Sequence, residues 1–342
     1  MEEFNPDGVG IANGNYFGMP FTTENAHLVL VSVPWDVTSS YGAGASSAPD
    51  AIIEASTQLD FYDSFAPDAW REGIATAEID YNIQESSIAL REDAVRIMEN
   101  LESGGKTEDN FILSRRLEKI NEASASLNAQ VYGTVKHFLS LGKKVGIVGG
   151  DHSIPYGAVK ALAEYERNFG ILHLDAHMDL RDCYEGFEYS HASIMYNILR
   201  DIKQVERIVQ VGVRDFSASE ADFATASGRV TVFSDAELCE AEFGGISWAE
   251  QCESIVANLP ERVYVSFDID VLEPSYCPGT GTPVPGGLSF NKAVYLIRKV
   301  VDSGREIAGF DLCEVAPSTK NNWDANVGAR ALYKLCGQAL RK

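Results

Sequence analysis

The chain has 342 residues, 45% of them hydrophobic, with 28 Lys and Arg against 50 Asp and Glu, a net charge of −22 and a pI near 4.6. This is enough apolar material for a sizeable core, and the acidic balance argues against a nucleic-acid partner, whose phosphates demand clustered Lys and Arg. No apolar run approaches the ~20 residues needed to span a bilayer, so no membrane partner is expected, and the acidity is compatible with a cationic small molecule.

In chain order, "MEEFNPDGVG" has neither a basic n-region nor an apolar h-region, so no signal peptide is expected and the localisation is read as cytoplasmic. The first strand is "LVLVSV" (28–33). Residues 66–110 are polar and less regular, with "ENLESGGKTEDN" (99–110) as an exposed loop. Ile120, Leu127, Val131, Val135, Phe138 and Leu139 keep a helical spacing that "LGKK" closes with Gly and Lys. Then come "VGIV" (145–148), "GILHL" (170–174), "RIVQVGV" (207–213), "RVTVF" (229–233), "VYVSF" (263–267), a helix over 291–301, and "IAGFDL" (307–312). Near-continuous apolar runs suit strands covered on both faces. Their alternation with helices predicts an α/β fold with a mostly parallel, doubly wound sheet. Large α/β folds run to this length as one unit, so residues 1–342 are expected to form a single domain. Six scattered cysteines without a CxxC pair read as reduced thiols.

The strand ends carry the chemistry. "VGIV" runs into "GGDHS", "GILHL" into "DAHMD", "VYVSF" into "DID", and "IAGFDL" towards Glu314. Ligand sites of open α/β sheets form at the carboxyl ends of strands. Side chains alternate along a strand, so Asp175, His177 and Asp179 are expected on one face, and Asp268 and Asp270 on another shared face. Burying so many carboxylates unpaired would cost several kcal/mol each. Two divalent cations would turn that cost into binding energy. A mixed imidazole and carboxylate set suits Mn²⁺, and also Zn²⁺, Fe²⁺ or Ni²⁺. His152 is the sixth candidate ligand, and its glycines allow close backbone approach. One DxH or DxD would be an ordinary strand-end turn. Three after three strands are a site.

"GGDHS", "DAHMD" and "SFDIDVLEPSYCPGTGTPVPGG" resemble the three signature motifs of the ureohydrolases, the family of arginase and agmatinase, from about Val29 to the C-terminus. The resemblance implies a three-layer α/β/α fold, two Mn²⁺ per chain, hydrolysis of a guanidinium to an amine and urea, and a homotrimer or homohexamer. It implies that His152, Asp175, Asp179 and Asp268 hold one ion, that His177, Asp175, Asp268 and Asp270 hold the other, and that Asp175 and Asp268 bridge. Two cations ~3.5–4 Å apart lower the pKa of a shared water toward neutrality, which would supply the nucleophile. His191, in "EYSHAS", matches the family's site histidine, whose pKa range suits proton delivery to the leaving amine. Asp179 also stands at the reacting centre. Glu314 matches the guanidinium-binding carboxylate. The chain departs from the family pattern at Glu273–Pro274, where a DP is usual, and at Ser46 and Ala48, where a GxRxGP stretch carries Arg and Gly. "GTGTPVPGG" (279–287) lacks the ending of a phosphate loop and is read as bracing Asp268 and Asp270. Cys183 and Cys277 are read as passive.

"DAHMDLRDCYEGFEYSHAS" (175–193) resembles agmatinases, which makes agmatine, cleaved to putrescine and urea in polyamine synthesis, the leading small cationic guanidino substrate. Arginase, guanidinobutyrase and formimidoylglutamase activities are the alternatives within the family. A metal-dependent deacetylase is a more distant one, but that family carries a single zinc, whereas the two-metal set is complete here.

Overall fold

The computed structural model describes residues 4–341. Eight strands form one sheet: β1 (Leu28–Ser32), β2 (Ile74–Thr76), β3 (Lys144–Val148), β4 (Phe169–Leu174), β5 (Val205–Val211), β6 (Val230–Phe233), β7 (Arg262–Asp268) and β8 (Glu306–Cys313). Their spatial order is β2-β1-β3-β8-β7-β4-β5-β6, and every neighbouring pair is parallel. Seven of the eight lie within two residues of the apolar runs named above. β2 has three residues, too few for a periodicity to register.

The described residues form ten α-helices, nine between the strands and the last after β8: α1 (Ala48–Ser56), α2 (Tyr81–Glu102), α3 (Phe111–Ser140), α4 (Tyr156–Leu162), α5 (Ile194–Asp201), α6 (Ala218–Ser227), α7 (Asp235–Phe243), α8 (Trp248–Ala257), α9 (Phe290–Asp302) and α10 (Trp323–Leu340). Alternation along β1 shows the layering. Leu28 and Leu30 join a core with Ile52 of α1 and Leu332 of α10, whereas Val29 and Val31 join one with Leu90 and Ile97 of α2 and Leu127 of α3. The sheet is therefore covered on both faces, giving the three-layer α/β/α arrangement.

Residues 66–110 overturn one expectation. They hold β2 and the 22-residue α2, and only 103–110 form the loop. Asp80 caps α2 by accepting the Asn82 N–H. Its buried stripe is Ile83, Ser87, Leu90, Ala94, Ile97 and Met98. Two of these are small, which weakens the apolar signal although the spacing is helical. Leu90 and Ile97, each burying a full side chain, contribute about 1.5–3 kcal/mol apiece. α3 ends where "LGKK" places the stop: Gly142 has φ +72, and Lys143 N–H reaches back to the Phe138 carbonyl at 3.1 Å.

The four central strands are β3, β8, β7 and β4. Their carboxyl ends lead to His152, Glu314, Asp268 and Asp175, so sheet order alone gathers residues far apart in sequence.

Candidate metal centre

Apart from Asp268, the last residue of β7, the candidate ligands lie beyond the strands and reach the centre through turns. β4 stops at Leu174, and residues 175–179 are irregular. Asp175 Oδ1 accepts the N–H of His177 at 2.6 Å, and Asp179 adopts φ +55. β7 ends on Asp268, whose Oδ1 accepts the N–H of Asp270 at 2.8 Å inside the single 3₁₀ turn Ile269–Val271. Both are side-chain-to-backbone turns that bend the next carboxylate or imidazole back over the strand end. The alternation argument thus picked out residues that do converge, but for a reason the backbone does not use. In "GGDHS", Gly150 has φ +75, and a Cβ there would lie 2.5 Å from the Trp35 carbonyl oxygen, so the glycine is required for this close approach.

All six residues converge in two groups that share Asp175. His152 Nδ1 lies 2.9 Å from Asp175 Oδ2, 3.1 Å from Asp179 Oδ2 and 3.3 Å from Asp268 Oδ2. His177 Nδ1 lies 3.3 Å from Asp175 Oδ1 and 3.1 Å from Asp270 Oδ2. One oxygen of Asp175 faces each group. Asp179 Oδ2 and Asp270 Oδ2 are buried and have no aligned hydrogen-bond donor among the described residues. Buried carboxylate oxygens are normally satisfied. Two such atoms aimed at imidazole nitrogens fit a site built for cations.

The electrostatics carry the same sign. Burial works against a charged His152, but the carboxylates of Asp175, Asp179 and Asp268 around its Nδ1 outweigh it and hold the imidazole well above its usual range. Burial opposes His177 too, and the Asp270 charge and the Asp175 contact raise it to about 12. Burial and then the Asp175 charge push Asp179 up to about 6. Burial with the Asp270 and Asp175 charges raises Asp268 further. Asp175, despite its burial, is held well below the carboxylate range by the His173, His152 and His177 imidazoles. The cluster keeps protons where cations would otherwise balance its carboxylates.

His191 and Glu314 stand beside it. Glu314 is buried at φ +62; its Oε1 accepts the His152 N–H at 2.9 Å, and its Oε2 has no partner among the described residues. A Cβ on Gly281 would sit 2.6 Å from that oxygen, so "GTGTPVPGG" lies directly against the carboxylate. His191 Nδ1 is 3.7 Å from Glu314 Oε1, its N–H donates to Thr38 Oγ1, and its Nε2 accepts the Ser40 N–H at 3.3 Å. Burial first, then the His177 and His152 charges, lower His191 to about 3. Its resting imidazole is therefore neutral, unlike the mid-range group the sequence suggested. His177, Asp179 and His191 line a cleft of about 130 Å³ with Ser40, Tyr184 and Thr282. A larger cavity of about 500 Å³ lies at the opposite end of the strands, against Lys144, Glu306 and Arg341, with no ligand cluster beside it among the described residues.

Two contributors escaped the sequence reading. Arg214 braces the loop behind the acids: its guanidinium donates to the Asp270 carbonyl at 2.6 Å, Gly212 at 3.0 Å and Val284 at 3.1 Å. His173, fully buried, places Nε2 2.8 Å from Asp175 Oδ2. It is the next residue back in the every-second-position series 179, 177, 175, which was its available signal. Cys277 is buried, and Cys183 is exposed; neither is in a disulfide.

The sequence model of the arginase family matches residues 26–337. The chain belongs to the arginase family. It is 32% identical over 295 residues to the N(1)-aminopropylagmatine ureohydrolase of Thermus thermophilus, covering 86% of this chain and 84% of that one. It is also 32% identical over 302 residues to an agmatinase of Neisseria gonorrhoeae, covering 88% and 82%. Among solved structures, the agmatine ureohydrolase of Thermoplasma volcanium matches with a TM-score of 0.70 and 26% identity, over 94% of this chain and 92% of that one. The expected membership, and with it the arginase-like α/β fold, are borne out. The buried His and Asp cluster is of a kind that could hold metal ions.

Proposed function

We propose that this arginase-family chain is a binuclear manganese hydrolase that cleaves a small cationic guanidino compound, agmatine first, to an amine and urea. The observation that carries the reading is the paired cluster sharing Asp175, with the unpartnered Oε2 of Glu314 beside it. His152, Asp175, Asp179 and Asp268 would hold one ion, and His177, Asp175, Asp268 and Asp270 the other. Such a pair supplies an activated water and electrostatic stabilisation of developing charge. The mixed donor set suits Mn²⁺.

The chain's own groups do the rest. Glu314 Oε2 accepts the guanidinium N–H bonds and orients the carbon toward the cluster. His191, buried beside the cluster and 3.7 Å from Glu314, is placed to relay a proton from the attacking water to the departing amine nitrogen. Asp179, assigned to one of the ions, places its carboxylate beside the same reacting centre. The rigid turns at Asp175 and Asp268 keep these atoms fixed relative to one another.

Agmatine leads because "DLRDCYEGFEYSHAS" resembles agmatinases and because the relatives bear names of amine-tailed substrates. The name of the Thermus relative adds N(1)-aminopropylagmatine as a second candidate, a longer polyamine. A cytoplasmic location and a homotrimer or homohexamer belong to the same reading; among the described residues no helix is long and apolar enough to cross a membrane. The test is urea release by Mn²⁺-loaded protein from agmatine, N(1)-aminopropylagmatine, arginine and guanidinobutyrate, with formamide release from formimidoylglutamate alongside. Fastest turnover is expected with an amine-tailed compound. Protein loaded with two Mn²⁺ that releases urea from none of them would refute the reading.

A further inference from the structure

Four strands at or beside the cluster share a feature that the chemistry above leaves unused. Near its carboxyl end each apolar stretch is broken by one polar residue: Gln210 in β5, His173 in β4, Ser266 in β7 and Asp311 in β8. Strand register sets them side by side, Gln210 against His173, His173 against Ser266, and Ser266 against Asp311. One lateral row of polar side chains thus crosses four adjacent strands, and none is more than 1% exposed. Val or Ile would fill these positions without the cost of burying polar atoms, so the row calls for a purpose.

Hydrogen-bond accounting assigns its protons. Gln210 Nε2 lies 2.6 Å from the Met178 carbonyl oxygen, which can only accept, so this atom is the amide nitrogen. Its other hydrogen goes to His173 Nδ1 at 2.9 Å. His173 therefore carries its proton on Nε2 and donates it to Asp175 Oδ2 at 2.8 Å. On the other side, Asp311 Oδ1 already accepts the Phe267 N–H at 3.2 Å, so it is an acceptor for the Ser266 hydroxyl as well, also at 3.2 Å. With its single proton given to Asp311, Ser266 Oγ must accept from His152 Nε2 at 2.8 Å. That leaves His152 Nδ1 facing Asp175, Asp179 and Asp268.

We propose that this row is a set of positioning residues for the metal centre: Gln210 and His173 hold the bridging carboxylate of Asp175, and Asp311 and Ser266 fix the tautomer of His152. The proposal rests on the metal-binding reading above. His173 has an atom within 4.8 Å of those of His152, Asp175 and Asp179, close enough to be taken for a ligand itself. Both its ring nitrogens are committed, one to Gln210 and one to Asp175, so it serves the cations only through Asp175. Metal-bound imidazoles and carboxylates depend on such outer partners for orientation and basicity.

The test is Mn²⁺ binding to metal-free full-length protein, by chelator competition and by the electron paramagnetic resonance signature of the coupled Mn²⁺ pair, with no substrate present. Wild type is expected to take two ions. His173→Leu and Ser266→Ala should each weaken Mn²⁺ binding by roughly 10–100-fold, the usual loss when a ligand's outer partner is removed. His173→Gln, whose amide N–H can reach Asp175, should recover most of the affinity and the paired signal. Should His173→Leu fail to fold, Ser266→Ala, which removes one oxygen only, decides the matter. Wild-type affinity in both His173→Leu and Ser266→Ala would overturn the proposal. So would a His173→Gln protein that loses one ion outright, because His173 would then be a ligand. Wild-type protein that takes up no Mn²⁺ would overturn the metal-centre reading, and the row with it.

Discussion

Glu314→Gln separates substrate binding from metal binding more cleanly than any other change. Glu314 Oε1 accepts the His152 N–H at 2.9 Å, so in the variant the amide oxygen must stay there and the NH₂ group must take the place of Oε2. A donor then faces the guanidinium N–H groups where an unpartnered acceptor stood. The loss is that of a buried, charged hydrogen-bond partner, about 3 kcal/mol. At 1.4 kcal/mol per decade this is roughly a 10²-fold fall in kcat/KM. Stability should move the other way. Burial and the Asp151 charge hold Glu314 well above the carboxylate range. A folded-state pKa raised above the unfolded one makes the charge destabilising at any pH above the unfolded value, so a neutral isostere should leave the melting temperature unchanged or higher at neutral pH. The assay is urea release over a range of agmatine concentrations, with Mn²⁺ content measured on the same sample. Unchanged kinetics with two Mn²⁺ bound would refute the assignment of Glu314 to the guanidinium.

Asp268→Ala should lose Mn²⁺ and activity together, beyond the roughly 10–100-fold cost of removing a mere supporting partner, because one carboxylate is assigned to both ions; elemental analysis of purified protein checks it, and full metal content would exclude the bridge. His191→Ala should keep both ions while kcat drops by roughly 10²–10⁴, with partial rescue by added imidazole; an unchanged kcat would move the proton transfer elsewhere. Metal affinity should fall as pH falls. His177, held at about 12, is protonated throughout the neutral range, and a cation must displace that proton, so its site should weaken about tenfold per pH unit from about pH 8 to 6; an affinity independent of pH would contradict the protonated cluster.

The sequence by itself determined seven of the eight strands, the strand ends at which Asp and His gather, and the identity of all six clustered residues. These were legible because a strand buried on both faces must be apolar, so an abrupt change to Asp and His has few explanations. β2 and α2 were not legible: the first spans three residues, and the second buries a stripe that includes Ser87 and Ala94. Only the tertiary structure decided why these six residues converge. Asp175 and Asp268 each turn the backbone by accepting an N–H two residues ahead, a local geometry that residue types do not announce. His191 likewise owes its neutrality to burial and to His177 and His152, and its Nε2 partner, Ser40, lies 151 residues away. The row from Gln210 to Asp311 depends on the order β5-β4-β7-β8, in which β4 and β7 lie side by side although they are not consecutive in sequence. Hydrophobic pattern is a property of each segment alone, but sheet order, turn geometry and the field at a buried ring arise from packing between segments, and these choose which polar groups meet.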